Sequence, residues 1–84
     1  MNRKQRRAAE RGRDAYDAAC EADTRAYEAW RAVYERTNAT QHERDEAWNA
    51  YEVTQRARSA AFIAWCDAFP ALRETATRSG LYVA

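Results

Sequence analysis

The sequence predicts an all-α protein, and three observations carry that reading. Alanine, the best helix former, supplies 20 of the 84 residues, whereas the helix breakers are only Gly12, Gly80 and Pro70. Apolar residues recur at spacings of three and four along two long segments. The large aromatic residues stand symmetrically about Ala39: Tyr27 with Tyr51, Trp30 with Trp48, and Tyr16 with Phe62 lie at equal sequence distances on either side. A chain that turns back at Asn38-Ala39-Thr40 brings each pair together across two antiparallel helices. The expected architecture is an antiparallel helical hairpin.

Residues 1–12 read as a basic N-terminal arm, distinct from a single helical domain over 13–84. The arm has high helix propensity but almost no apolar face, so tertiary contacts are expected to give it little support. Gly12 weakens any helix there. Asp14, with Asp17 three residues on, offers a cap and favourable charge for a first helix over about 14–37. Along it Ala15, Ala19, Ala22, Ala26, Ala29 and Val33 form a small-residue stripe, and Tyr16, Cys20, Tyr27, Trp30 and Tyr34 form an aromatic stripe one position on. The alanines are expected to allow close helix approach while the aromatics fill the remaining space.

Asn38 suits a left-handed exit from that helix, and Thr40 with Glu43 matches the capping box that starts the next one. No Gly or Pro enforces the break, so one continuous helix through 38–40 is the competing structure. The second helix is predicted over about 41–69, with Trp48, Tyr51, Phe62, Trp65, Phe69 and Leu72 on one broad face that Gln55 and Arg58 interrupt. Pro70 should end it and open a short third helix, which Gly80 caps. In the hairpin register Trp65 and Phe69 fall beyond the first aromatic stripe. The C-terminal segment is expected to fold over them; left open, Trp65, Phe69, Leu72, Leu81 and Tyr82 make a docking patch.

Bulk is scarce. Leu, Ile and Val together number six, and ten aromatics supply most of the large apolar surface. A single core in a chain near 80 residues is marginal without association or staples. Either the C-terminal residues pack on the hairpin, or a protein partner does, or a homodimer forms a helical bundle.

Charge is almost balanced, at +1, but unevenly distributed. Residues 1–13 carry six cations and one acid, residues 14–52 ten acids and four arginines, and residues 53–84 four arginines and two acids. The hairpin thus has basic ends and an acidic turn, a polarity that favours oriented association. The basic start is followed by Asp14, Asp17, Glu21 and Asp23 where a secretory signal would be apolar, and no stretch approaches the roughly 20 apolar residues of a membrane span. A cytoplasmic chain without membrane association is expected.

The chemistry-bearing residues are few. His42 is the sole histidine, beside the turn, and Ser59 and Ser79 lie far from it in the hairpin. His42 and Glu46 share a helix face but lack the further ligands a metal needs. The register separates Cys20 and Cys66 by roughly 12 Å along the axis, too far for an intrachain disulfide. The expectation is a non-enzymatic protein without cofactor or metal. Arg3, Lys4, Arg6, Arg7, Arg11 and Arg13 are the candidate contacts for a partner, and arginine suits bidentate recognition of phosphate, so nucleic acid is a possible ligand.

The opening run Asn-Arg-Lys-Gln-Arg-Arg-Ala-Ala, within residues 1–13, resembles the start of many small bacteriophage and prophage proteins. Thirteen arginines to one lysine and the alanine content fit a GC-rich genome. The resemblance implies a phage-encoded accessory protein in the host bacterial cytoplasm, a class that includes helical inhibitors of host defence such as anti-CRISPR proteins; it implies neither fold nor residue roles. The leading expectation is therefore a protein-interaction module of that inhibitor kind. The alternatives are a nucleic-acid-binding hairpin that uses the basic arm, and a structural scaffold or adaptor.

Overall fold

A computed structural model of the chain describes residues 2–83. It contains three helices, α1 (Arg3–Glu35), α2 (Gln41–Ala68) and α3 (Pro70–Arg78), and no strand among the described residues. The long pair α1 and α2 forms the hairpin. Tyr27 meets Tyr51 at 5.6 Å between ring centroids, Trp30 meets Trp48 at 5.3 Å, and Tyr16 meets Phe62 at 5.6 Å. These are distances at which tilted and edge-on rings attract. The symmetry about Ala39 is thus the register of the fold.

Helix α1 starts at Arg3, well before Asp14, and passes straight through Gly12. Two causes extend it. The Asn2 side chain accepts the Gln5 amide at 2.8 Å and the Gln5 side chain accepts the Asn2 amide at 3.0 Å, a reciprocal cap that satisfies the first donors. The turns it opens also carry a narrow small-residue face: Ala9 is 8% exposed, and a Cβ at Gly12 would sit 2.9 Å from Trp65 Cδ1 and 3.0 Å from its Cα. At Gly12 the α1 backbone lies against Trp65 of α2, and a side chain there fits only if its neighbours shift.

The turn is closed without glycine or proline. Arg36 leaves α1 in an extended conformation (φ −73°, ψ 129°), and among the described residues no residue other than Gly80 has a positive φ. Asn38 therefore does not take the left-handed conformation expected of it. The Thr40 hydroxyl accepts the Glu43 amide at 3.1 Å and Glu43 accepts the Thr40 amide at 3.3 Å, as the capping box requires. Arg36 pairs with Glu43, and Arg44 donates to the Arg36 carbonyl at 3.4 Å while lying 5.9 Å over the Tyr34 ring. Charge and capping fix the break.

Phe69, extended at φ −131° and ψ 91°, ends α2 and precedes Pro70, the first residue of α3. Gly80 (φ 75°) closes α3, with its amide on the Thr77 carbonyl at 3.2 Å and the Leu81 amide on the Ala76 carbonyl at 2.8 Å, the paired bonds of a Schellman ending. Helix α3 packs on α2 and does not touch α1. The tail returns along another side of α2 from the one expected: Leu81 borders Phe62 and Ile63, and the Tyr82 hydroxyl donates to Asp67. The turns of α1 around Ala9, Gly12 and Arg13 border Trp65 and Phe69.

The molecule measures 55 × 24 × 14 Å between Cα extremes, with a radius of gyration of 16.5 Å where a compact domain of this length has about 12 Å. The hairpin itself is a single layer of two helices. The small-residue stripe of α1 lies beside the aromatic seam, not in it, so Ala15 and Ala29 are exposed. The buried apolar residues among those described are Ala9, Cys66 and Ala76, and only Cys66 is fully enclosed.

Candidate interaction surfaces

The six basic residues of the N-terminal turns divide by helical position. Arg3, Arg7 and Arg11, four residues apart, form one exposed row with Lys4 beside it. Arg6 and Arg13, seven apart, emerge on the flank toward α2 and wall a groove of about 190 Å³ whose floor is Ala9, Trp65 and Phe69, with Glu10 at its edge. Of these six cations only Arg13 has an ion pair among the described residues, to Asp14 at 3.7 Å.

The apolar residues expected to form one patch are divided between surfaces. Trp65 and Phe69 lie in the groove of Arg6 and Arg13. Leu81 borders a second groove of about 280 Å³ with Tyr16, Arg58, Ser59, Phe62 and Ile63. Tyr82 lies at a third with Pro70, Arg73 and Arg78, and Leu72 is half-buried. The terminal end of the hairpin thus gathers basic and aromatic side chains within three shallow depressions. At the other end Tyr34 is 62% exposed and Trp48 41% exposed, so the edge of the aromatic seam reaches solvent.

One polar cluster was not expected. Asp23 is 6% exposed, accepts a hydrogen bond from the Thr54 hydroxyl at 3.0 Å and pairs with Arg58 at 3.2 Å across the helices. A signal existed: Asp23 completes the four-three spacing Tyr16, Cys20, Asp23, Tyr27, Trp30, Tyr34, and its level matches the Gln55 and Arg58 interruption on α2. Its role is positional, because a charged rung in an aromatic seam matches only one alignment of the two helices.

The titratable groups follow their surroundings. Cys66 is enclosed, and burial followed by the nearby Asp67 charge pushes its thiol above the ordinary value; Cys20 is half-exposed, and both thiols are free. The Cys20 thiol and partial burial raise the Tyr16 phenol. His42 lies 2.9 Å from Glu46 in the first turns of α2, about 25 Å along the helix from Ser59. Among the described residues no group of three His, Cys, Asp or Glu side chains is placed to hold a metal, and no helix is long and apolar enough to cross a membrane. Comparisons with protein-family models, curated proteins and solved structures gave no match.

Proposed function

We propose that this chain is a non-enzymatic protein-interaction module whose terminal end docks on an acidic, apolar-anchored segment of a larger complex. The observation that carries it is the groove in which Arg6 and Arg13 flank Trp65 and Phe69. Arginine and aromatic residues dominate interface hot spots because they combine large buried area with directed hydrogen bonds. An apolar anchor fills the aromatic floor, and carboxylates on either side meet the two guanidinium groups. In the setting that the phage-like N-terminal run implies, the module acts as an inhibitor by occupying a surface of a host defence complex.

The test uses capture from bacterial lysate by the wild-type chain and by an Arg6→Glu/Arg13→Glu variant. Both side chains are exposed, so helix content should be unchanged by circular dichroism. The reading requires a protein retained by the wild type and lost by the variant. Retention of nuclease-sensitive RNA or DNA alone would overturn it in favour of nucleic-acid binding, a second reading favoured by the Arg3, Arg7 and Arg11 row. That reading predicts a log–log salt slope of about −0.9 per phosphate neutralised on duplex DNA, and loss of binding in an Arg3→Glu/Arg7→Glu/Arg11→Glu variant. Substitution is a cleaner probe than deletion of residues 2–13, because Ala9 and Gly12 belong to the helix packing.

A further inference from the structure

The two broad faces of the layer differ in kind. On α1 an alanine immediately precedes the seam residues Tyr16, Tyr27 and Trp30, and on α2 an alanine immediately precedes Trp48, Tyr51 and Phe62. One residue back is a rotation of about 100° around the helix axis. The near-twofold that relates antiparallel α1 to α2 runs perpendicular to the layer, so equivalent positions of both helices emerge on the same broad face. That face is lined mainly with small side chains, and Ala15, Ala29, Ala50 and Ala57 on it are exposed. Arg13 follows the seam residue Gly12 and leaves α1 on the other flank, so the groove it walls lies away from this face.

We infer that the alanine face is covered by a second copy of the chain, stacked face to face and antiparallel to form a two-layer helical bundle. Exposure is the first reason. The two hairpin helices make one layer whose alanine face is left exposed, and stable domains bury the faces of two layers against each other. Charge sets the direction. Residues 21–57, the turn half, carry five arginines and eight acids, whereas the remainder carries nine cations and five acids. Antiparallel stacking lays each acidic half on the basic half of the other copy, and parallel stacking sets like on like. On the face itself Lys4 and Arg11 continue the alanine row of α1 at the terminal end, whereas Glu43, which begins the row of α2 at the turn end, is already paired with Arg36.

Area is sufficient. The two helices side by side are about 20 Å wide and pair over the roughly 42 Å of α2, outlining about 840 Å², comparable with the roughly 800 Å² per partner of a standard stable interface. Small side chains allow helix axes to approach to about 8 Å, so the layers can meet without rearranging either hairpin. This self-association goes beyond the proposed docking function and leaves the Arg6 and Arg13 groove free for it.

Light scattering of the purified chain should give twice the 9.7 kDa of one copy. Small-angle scattering should give a radius of gyration of about 17 Å, because a layer stacked about 10 Å away adds little to a long molecule, whereas an end-to-end pair would give about 32 Å. Ala57→Glu places two carboxylates near the centre of the stacked faces and should weaken the dimer at least tenfold with helix content unchanged. Ser59→Glu, on the other face, should leave the mass unchanged. A mass of 9.7 kDa at every concentration, a dimer with the longer radius, or a dimer insensitive to Ala57→Glu would overturn the inference. Partner capture plays no part in these measurements, so failure here and failure of the docking function are told apart.

Discussion

At the scale of the residue, two positions show how much depends on small or unexpected side chains. A methyl group at Gly12 would press on the backbone of Trp65, which cannot swing away as a flexible side chain would. Overpacking of this kind costs about 1 to 3 kcal/mol, partly offset by the roughly 1 kcal/mol that alanine gains over glycine within a helix. Gly12→Ala should therefore destabilise by up to about 2 kcal/mol in urea titrations, where helix propensity alone predicts a gain. Asp23 calls for a different calculation. Arg58 is half-exposed and turns to water when its partner is removed, and the Thr54 hydroxyl can direct its one hydrogen to the Tyr51 carbonyl at 2.8 Å. Asp23→Ala should therefore cost only about 1 to 2 kcal/mol, below the 3 to 5 typical of a fully buried broken pair. An Asp23→Leu/Arg58→Leu double variant should be at least as stable as the wild type by thermal melting, with the alignment of the helices less firmly specified.

At the scale of the element, the boundaries that could be read from the sequence were those set by local chemistry. Thr40 with Glu43, Pro70 and Gly80 each act through their own backbone neighbourhood, and each stands where the sequence places it. The start of α1 was obscured although Asn2 and Gln5 form the same kind of box, because the turns after it have no apolar face until Trp65 is laid against Ala9 and Gly12. The grooves share this limit: their walls come from separate helices, so spacing along one helix does not reveal them. Thr40→Ala should cost about 1 kcal/mol by removing the cap. The hydrogen bond from Arg36, then those from Thr40, hold the Glu43 carboxyl below its ordinary value. A lowered folded value means that this contribution is complete above the unfolded pKa and is lost as the pH falls through the folded one. Acid melts of Glu43→Gln should accordingly fall less steeply with pH than those of the wild type.

At the scale of the whole molecule, length dominates. Pairing of Trp30 with Trp48 brings Glu28 and Asn49 to opposite sides of one rung, so spin labels at these sites should lie about 15 to 20 Å apart, against roughly 32 Å in a single continuous helix. Double electron–electron resonance separates the two outcomes independently of stability. The same shape explains why so few side chains are enclosed: a long hairpin has little interior, and its aromatic rings meet tilted, edge-on or stacked along one narrow seam. The symmetry about Ala39 revealed the pairing of the rings; that one face of the hairpin stays uncovered became visible only when the C-terminal helix proved to lie against α2 without reaching α1.

The aromatic rungs match by their distance from Ala39, and nothing in a rung identifies which chain supplied either half. If residues 36–40 straighten, α1 of one molecule meets α2 of another in an unchanged register, and every ring pair can re-form in trans. The choice between a closed hairpin and exchanged partners rests on Thr40, Glu43 and Arg36 and on the entropy of a short connection, which contribute nothing to the rungs themselves. This is a fold whose pairing code and chain connectivity are separately encoded, so the handful of residues at the bend decides between solitary and exchanged forms while the seam stays indifferent.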